Sequence, residues 1–409
     1  MLKNKYNNYQ NIVYEIHQNF LVNDKSLTLV TRDAKESEYL YNALKIFNPN
    51  DNIFLFPESE ILPYDHFSMP EKVIKDRFQI INKISKQKHI VVVSIKSLFE
   101  RYPVKEYFES FNKFTVKDNI SVKNLIEIIE SLNYSKKVNV ESINEYAIRG
   151  GIIDVFSPIY ENPLRIEIFD DTIESIRFFN IESQLSINNI ENFSISKGSI
   201  FSLDENKIDL FISRWRDYFH NYDERFCSLF QNIKNGIIPE GIEVYFPLLF
   251  NKTSQFKDLF PKNIFLTFED LVPEIENYSN FIEERFDDEH YDQKRPILRP
   301  NDSFIEKKDV TEILNKSLMI SAPKLEIKPE SFDELIKIIE SDRYKENFLI
   351  VTSLNTEIQN IKKMTSINTK IIDKYDDLNK GVNIMVGLPI RPFFDVSKNT
   401  YIFHKEQLE

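Results

Sequence analysis

The sequence predicts an α/β protein in which a parallel-sheet domain is interrupted by a small inserted α+β domain and followed by a C-terminal α/β unit. Short buried-type strands alternate with helical patterns over roughly the first hundred residues, which is typical of a parallel sheet. Several strands with tight turns then follow one another directly, which is typical of an antiparallel sheet. We predict a first domain of residues 1–112 and 198–327, an insertion of residues 113–197, and a last unit of residues 328–409.

The composition is that of a soluble globular protein with about two to four domains. Of its 409 residues, 42% are hydrophobic and 28% are charged. No apolar run approaches the ~18 residues of a membrane span, and the polar N-terminal segment lacks the apolar middle of a signal peptide. The one cysteine, Cys227, permits no intrachain disulfide and fits a reducing compartment. We therefore expect a cytoplasmic protein without membrane contact.

The net charge and the glycine content argue against two classes of function, extensive DNA binding and nucleotide binding. The net charge of −12 argues against a large basic surface for DNA. None of the seven glycines lies in a glycine-rich turn after a strand, and none is followed by Lys-Ser or Lys-Thr. A phosphate-binding loop needs such glycines so that backbone N–H groups can approach the anion. We therefore expect no nucleotide cofactor in this chain. We also expect no metal site and no catalytic residue.

The first part of the parallel-sheet domain has the pattern of three buried strands separated by helices. A helical pattern covers Tyr9–Phe20, and the turn Arg32-Asp33-Ala34 opens a helix that runs to Phe47. The other predicted elements are strands at 26–31, 52–56 and 89–94, a turn-rich connector at 57–70 and a helix at 71–85. This order resembles the layer of a RecA-like nucleotide-binding domain, although the turn after Thr31 has no phosphate-binding sequence.

The insertion begins with a strand at 114–117, a helix capped by Ser121, and a strand at 137–140. The β-branched run Ile148–Val155 follows, and its Gly150-Gly151 pair predicts a bulge or a close backbone approach. In the segment LRIEIF at 164–169, the aliphatic side chains at 164, 166 and 168 alternate strictly with the Arg, Glu and Phe side chains at 165, 167 and 169. Residues 170–172 form a turn, and a strand returns over 173–179.

This alternation places a distinctive set of side chains on one face of the predicted sheet. In an antiparallel sheet with one covered face, the second face looks outward. That face would carry Arg165, Phe169 and Arg177, with Arg149 nearby. An exposed aromatic side chain among arginines is typical of a protein–protein hot spot.

After residue 198 we expect the chain to return to the first domain. The predicted elements are helices from Asp204 through about Phe219 and then through Asn232, strands at 244–250 and 264–268, a helix at 271–286, a polar linker at 287–302 and a strand at 319–327. The last unit should contain a helix capped by Ser331, a strand at 347–352, a helix at 357–364, and strands at 370–373, 383–386 and 401–404. Because the chain stops just after this strand, we expect a fragment of a longer protein.

Two strings in the insertion closely resemble the UvrA-binding domain shared by UvrB and the transcription-repair coupling factors (the Mfd family). They are Arg149-Gly150…Ile153-Asp154-Val155-Phe156 and Arg165-Ile166-Glu167-Ile168-Phe169-Asp170-Asp171-x-Ile173-Glu174-Ser175-Ile176-Arg177. Segments elsewhere favour the Mfd family over UvrB: Leu62-Pro63-Tyr64-Asp65-x-Phe67-Ser68, Arg214-Trp215-Arg216-Asp217-x-Phe219 and Pro239-x-Gly241-Ile242-Glu243. The connector at 62–70 is also too short for the aromatic DNA-gripping hairpin of UvrB.

The resemblance covers nearly the whole chain, but only the N-terminal portion of the family member. It implies a degenerate RecA-like, UvrB-like domain without a P-loop, and an insertion that recruits UvrA. The matching positions imply that Arg149, Arg165 and Phe169 contact UvrA, and Arg177 matches as well. The parent protein would displace RNA polymerase stalled at a DNA lesion, with ATP- and Mg-dependent translocase domains that contact DNA beyond residue 409. Ser157-Pro158 departs from the family, in which a proline directly follows the residue equivalent to Phe156.

Other interpretations remain open at this stage. The arginines could be solvated and paired with Glu167 or Glu174 on the sheet. Asp170, Asp171 and Glu174 could hold a metal, but a hydrated hairpin turn explains them better. Cys227 and Trp215 are best explained as core residues. A UvrB-like helicase or ATPase and a direct DNA-binding module are the two alternative functions.

Overall fold

A computed structural model of the protein shows a mixed α/β fold with several separate sheets. The structure describes residues 13, 16, 20, 24–47, 52–84, 88–109, 111–197, 200–201, 203–319, 327, 329–341, 346–365, 368–395 and 398–408. Most of the helix predicted at 9–20 lies outside these residues. Within them, no helix has both the length and the apolar composition needed to cross a membrane.

The first part of the chain forms the centre of a parallel sheet. The strands β1 Leu27–Thr31, β2 Ile53–Leu55 and β3 Ile90–Ser94 belong to this sheet, and the short strand β4 Tyr102–Pro103 lies outside it. The helices of this part are Ala34–Phe47, Glu71–Ile84, Ile95–Phe99 and Lys105–Glu109. All five residues of β1 and of β3 are buried, as expected for strands covered on both faces. The pairs β1–β3 and β2–β3 are parallel, which confirms the prediction made from the alternation of strands and helices.

The inserted segment contributes one helix, Val122–Ser131, and eight strands. The strands are β5 Phe111–Thr115, β6 Ser135–Lys136, β7 Glu145–Arg149, β8 Ile152–Val155, β9 Leu164–Phe169, β10 Thr172–Phe179, β11 Ser186–Asn189 and β12 Asn192–Ser196. Six of them form a sheet in the order β11-β10-β9-β8-β7-β6, and β12 pairs with β5. Ser121 caps the helix as predicted, since its Oγ accepts a hydrogen bond from the Asn124 backbone N–H at 3.1 Å.

A loop of the insertion rests on a helix of the first domain. The side-chain amide of Gln79, on the helix Glu71–Ile84, donates to the Tyr160 backbone oxygen at 2.9 Å. The Lys75 ammonium lies 4.8 Å from the centre of the Phe156 ring, and Lys83 lies 3.5 Å from the Glu161 carboxylate. These contacts join the 156–161 loop of the insertion to the helix Glu71–Ile84.

The chain then completes the parallel sheet, which has the strand order β15-β14-β1-β3-β2. The strands added to this sheet are β14 Ile264–Thr267 and β15 Leu318–Met319, whereas β13 Thr253–Ser254 pairs antiparallel with β4 in a separate two-stranded sheet. The α-helices of this part are Glu205–Tyr218, Ser228–Lys234, Phe256–Leu259, Val272–Glu289, Pro300–Ser303 and Lys307–Asn315. The strand predicted at 319–327 is thus described only at its start. The helix Lys307–Asn315 was not predicted, and Val272–Glu289 extends into the predicted linker.

The strand predicted at 244–250 is wrong, because Ile242–Leu248 forms a 3-10 helix. Its apolar residues gave a strand-like pattern, but Pro247 lies inside it and cannot donate to a sheet. Gly241 precedes it with φ 71°, and a Cβ there would lie 3.1 Å from the His66 backbone oxygen. Glu243 then accepts a hydrogen bond from the Met69 backbone N–H at 2.7 Å, which joins this segment to the 57–70 connector.

The last unit is a second sheet with mainly parallel strands, in the order β17-β18-β16-β20-β19. Its strands are β16 Asn347–Thr352, β17 Thr369–Ile371, β18 Val382–Val386, β19 Phe393–Asp395 and β20 Thr400–His404, and its α-helices are Phe332–Glu340 and Glu357–Met364. The prediction here missed only β19 among these strands, which pairs antiparallel with β20 at the edge. The unit shares one apolar cluster with the first sheet, including Leu40 and Val92 on one side and Val351 and Ile402 on the other.

At the turn after β1, charged side chains of the first domain and of the last unit form ion pairs. Glu36 is 1% exposed and forms ion pairs with Arg32 and with Arg391 of the last unit. The Asp33 carboxylate accepts a hydrogen bond from the Glu36 backbone N–H at 2.8 Å, at the start of the helix Ala34–Phe47. A buried carboxylate at this helix terminus competes with any bound anion, which fits the absence of a phosphate-binding sequence.

Glu36 makes the stability of this junction depend on pH. Burial raises its pKa to about 7, with Arg391 opposing the shift. The folded chain therefore keeps a proton that the unfolded chain releases near pH 4.5. This contribution to stability is complete below pH 4.5 and is lost as the pH rises through 7, with a total of about 3 kcal/mol at most.

We predict that Glu36→Gln removes this part of the pH dependence. Between pH 5 and pH 8, the free energy of unfolding of the wild type should fall relative to that of the variant. Urea unfolding at several pH values measures both. Parallel curves for the two chains would contradict the assignment.

Candidate functional site

The candidate site is the outer face of β7 to β10, the face opposite the insertion's core. The inner face is made by alternate residues such as Tyr146, Ile153, Ile166 and Ile176, each no more than 1% exposed. They pack with Leu125 and Ile129 of the helix Val122–Ser131 and with neighbouring strands. Because strand side chains alternate between faces, the four predicted contact residues lie on the other side.

Strand register brings three of these residues together. Asp154 on β8 lies opposite Arg165 on β9, and Arg165 lies opposite Arg177 on β10. On the other side of β8, Arg149 on β7 lies opposite Ile152, two pairs along the β7–β8 ladder from the pair of Ala147 with Asp154. Two guanidinium groups opposite each other on neighbouring strands repel, so this arrangement requires carboxylates beside them.

Two tight turns at one end of the sheet fix Arg149 and Phe169. Gly150 and Gly151 connect β7 to β8 as a hairpin, so the run predicted at 148–155 is two strands. The predicted close approach is confirmed, because a Cβ on Gly151 would lie 2.4 Å from the Ile168 backbone oxygen. The second turn joins β9 to β10 through Asp170 and Asp171, both with positive φ (49° and 56°). Positive φ at both central residues matches the twist of a two-residue hairpin.

Phe169 is the most exposed of the four residues. It is the last residue of β9, directly before the Asp170-Asp171 turn, and it is 74% exposed. A large aromatic side chain on a rigid hairpin can be buried by a partner with little loss of conformational freedom. Phe169 is therefore accessible on this face, and its contact with a partner stays a prediction.

Arg149 is half-exposed, and its guanidinium remains accessible. The side chain is 49% exposed and donates a hydrogen bond to the Asn139 side-chain oxygen. Its nearest carboxylate is Asp154, at 4.0 Å. Arg149 therefore presents a cation only partly balanced by the chain itself.

Arg165 is much less exposed than the outward-facing pattern predicts, and this corrects that expectation. Its side chain is 14% exposed, and its Nε and Nη2 donate to the two Asp154 carboxylate oxygens at 2.7 and 2.8 Å. The guanidinium lies 4.4 Å from the centre of the Phe179 ring, and Nη1 donates to the Gln184 backbone oxygen at 3.2 Å. The reason is a second small apolar cluster on this face, formed by Val140, Ile143, Ala147, Phe156 and Phe179.

Arg177 is partly covered and paired within the sheet. Its side chain is 25% exposed, and its Nη1 lies 3.3 Å from the Glu167 carboxylate. The alternative interpretation, pairing with Glu167, is thus correct for this residue. Glu174 instead pairs with Lys117 at 2.8 Å. Among the four residues, Phe169 and Arg149 are therefore the two most available to a partner.

Sequence reasoning missed the importance of Asp154, which is 2% exposed. The signal was present, because Asp154 alternates with Ile153 and Val155 and so belongs to the arginine-bearing face. What the sequence did not show is the register that places this carboxylate opposite Arg165.

The remaining candidates have structural explanations. Within the described residues, no group of three or more His, Cys, Asp or Glu side chains could hold a metal ion. Trp215 packs against Phe211, Phe219, Phe230 and Tyr245, as predicted for a core residue. Cys227 is buried, and burial raises the pKa of its thiol; it precedes the helix Ser228–Lys234 instead of lying within one.

One group in the last unit has distances similar to those of a hydrolase triad. Ser353 Oγ lies 3.3 Å from His404 Nε2, and His404 Nδ1 lies 2.9 Å from a Glu406 carboxylate oxygen. His404 is fully buried, and burial lowers its pKa. The other Glu406 oxygen accepts hydrogen bonds from Thr352 Oγ1 at 2.7 Å and from the Ser353 backbone N–H at 3.1 Å. We interpret this group as a closure of the strand ends, because a substrate cannot reach a buried imidazole.

Comparison with known proteins identifies the inserted region. Residues 113–201 match the family model described as the UvrB interaction domain. Curated proteins similar to the chain are named transcription-repair-coupling factor. Those of Haemophilus influenzae and Escherichia coli are both 26% identical, over 75% and 74% of this chain. That of Rickettsia bellii is 24% identical over 95% of this chain. These matches confirm the predicted resemblance.

The chain is much shorter than these relatives. The matched part covers 27% of the Haemophilus influenzae protein, 26% of the Escherichia coli protein and 37% of the Rickettsia bellii protein. The activities and partners of the whole relatives are therefore attributed to this chain only as a proposal.

We predict that Gly151→Ala destabilises the chain more than Gly150→Ala. An alanine at 150 meets no atom within 4 Å but must keep φ +62°, which costs about 1 kcal/mol. An alanine at 151 would push against the Ile168 backbone, with an expected loss of about 1–3 kcal/mol. Thermal unfolding of both variants checks the order. An equal or milder effect at 151 would contradict the close approach.

Proposed function

We propose that this chain is the UvrA-recruiting portion of a transcription-repair coupling factor, linking RNA polymerase stalled at DNA damage to nucleotide-excision repair. The observation that carries the proposal is an exposed Phe169 at one hairpin turn and a partly free Arg149 at the other turn of the same sheet end, inside the segment that matches the UvrB interaction domain. UvrA would bind this outer face as it binds the equivalent face of UvrB.

The motor activity would belong to other parts of the parent protein. Its ATP- and Mg-dependent translocase domains, and its contacts with RNA polymerase and DNA, would lie outside residues 1–409. The first domain would be a degenerate RecA-like scaffold. In support, its β1 turn contains the buried Glu36 paired with Arg391 where an anion would need free N–H groups. The chain would act in the cytoplasm, without enzymatic activity of its own.

The energetics favour the hairpin end of the outer face as the centre of the interface. Burying an exposed phenylalanine removes apolar surface from water and contributes roughly 1–3 kcal/mol. An arginine beside it adds charge complementarity, which mainly increases the association rate. Arg165 and Arg177 already have carboxylate partners, so they would contribute chiefly through shape.

The two alternative functions make different demands on the chain. A UvrB-like helicase or ATPase would have to bind ATP, and a direct DNA-binding module would have to bind duplex DNA at moderate salt. The net charge of −12 disfavours the latter. Saturable ATP binding or a DNA gel shift that persists at moderate salt would favour these alternatives over UvrA recruitment.

We predict that Phe169→Ala weakens binding of purified UvrA by roughly 1–3 kcal/mol, because the largest apolar contact is lost. The matched control is Phe226→Ala, which removes a phenylalanine that is 67% exposed and lies outside residues 113–201. Calorimetric titration of UvrA with the wild type and both variants gives the affinities. Equal affinities for Phe169→Ala and wild type, with both folded, would remove Phe169 from the site.

We predict that Arg149→Ala slows association with UvrA and flattens the salt dependence of the association rate, since a partly free cation is lost. Arg225→Ala is the control, because its side chain is 80% exposed and paired with Asp223 outside the matched segment. Surface plasmon resonance at several ionic strengths measures both effects. A salt dependence unchanged from wild type would contradict a role for Arg149 in steering.

A further inference from the structure

We propose that Asp154 is a positioning residue for partner recognition, holding Arg165 in a fixed orientation and restraining Arg149. The inference rests on the proposed UvrA-recruiting function and adds to it a residue that makes no contact with the partner. Asp154 is 2% exposed, so its effect must pass through the side chains around it.

The geometry around Asp154 is a clamp. Its two oxygens accept hydrogen bonds from Nε and Nη2 of Arg165, at 2.7 and 2.8 Å. Such a two-point pair fixes the plane of the guanidinium as well as its position. Phe179 supports the same guanidinium from one side at 4.4 Å, and the Gln184 backbone oxygen accepts from Nη1 at 3.2 Å. Arg165 is therefore ordered before any partner arrives.

The same carboxylate also acts on Arg149. Arg149 Nη1 lies 4.0 Å from Asp154 Oδ2, close enough for attraction but too far for a direct hydrogen bond. Asp154 thus forms a two-point hydrogen-bonded pair with Arg165 and a weaker electrostatic contact with Arg149. Its negative charge keeps the Arg149 side chain near the sheet and leaves nearly half of that side chain exposed.

Charge balance across the strands gives Asp154 a further part in this arrangement. Arg165 and Arg177 are directly opposed in the β9–β10 register. Glu167 pairs with Arg177 at 3.3 Å, and Asp154 pairs with Arg165. Without Asp154, the row would contain two opposed cations and only one carboxylate, and Arg165 would be repelled towards solvent. The outer face would then have a different shape and a more positive charge.

The main experiment compares Asp154→Asn, Arg165→Gln and the double variant in UvrA binding, with thermal unfolding as a check on folding. Asparagine keeps the shape of Asp154 and removes its charge. We expect Asp154→Asn to weaken binding at least tenfold in the wild-type background and no more than about threefold in the Arg165→Gln background, where only the restraint on Arg149 is lost. Non-additive losses of binding between variants whose thermal unfolding midpoints match that of the wild type separate a positioning role from general destabilisation. An equal loss in both backgrounds, or no loss in the first, would overturn the inference.

A second measurement does not need UvrA and uses the unaltered chain. The Arg165 Nε–H should give a resolved, slowly exchanging NMR signal that persists at high salt, because its bond to Asp154 is covered. A rapidly exchanging signal would overturn the clamp even if Asp154→Asn failed to fold. A slow Arg165 signal in a chain that does not bind UvrA would instead refute the proposed function and, with it, the role of Asp154 in recognition. The two failures are therefore distinguishable.

Discussion

The alternation of side chains along β7 to β10 is the constraint on which the rest of the site depends. One face must enter the core, where Ile153, Ile166 and Ile176 pack around the helix Val122–Ser131. A shift of one residue in any strand would turn these isoleucines outward and bury arginines, at a large cost in free energy. The buried face therefore fixes the register, and the register fixes the position of every charged group on the outer face. The packing of the core and the arrangement of the outer face are two consequences of one pattern.

On the outer face, the arginines that are already paired with carboxylates lie apart from the side chains that remain accessible. Near its middle, Asp154 and Glu167 neutralise Arg165 and Arg177, and a small apolar cluster around Phe179 covers part of the surface. At its hairpin end, Phe169 and Arg149 remain accessible. A partner would meet an ordered platform with one apolar and one cationic projection, which limits the entropy lost on binding. The last unit is joined to the first domain through a shared core and the Glu36–Arg391 pair.

Much of this architecture could be predicted from sequence because its signals are local. The buried strands β1 and β3, the caps at Ser121 and Ser331 and the 164–169 alternation are all determined by near neighbours. The failures come from information that a single segment does not contain. The run at 244–250 has the composition of a strand, but Pro247 and the packing of Gly241 against the 57–70 connector favour a 3-10 helix.

The difference between local and long-range information also explains which features of the site could be predicted. Alternation placed Arg149, Arg165, Phe169 and Arg177 on one face, yet the partial burial of Arg165 depends on Asp154 from another strand and on Phe179 beneath it. Amide hydrogen exchange with and without UvrA tests the central claim most directly, since it surveys the whole chain at once. New protection from exchange should be concentrated in the hairpins at 149–152 and 169–172 and in adjacent strands. Protection confined to the first domain or the last unit, with these hairpins unchanged, would contradict it.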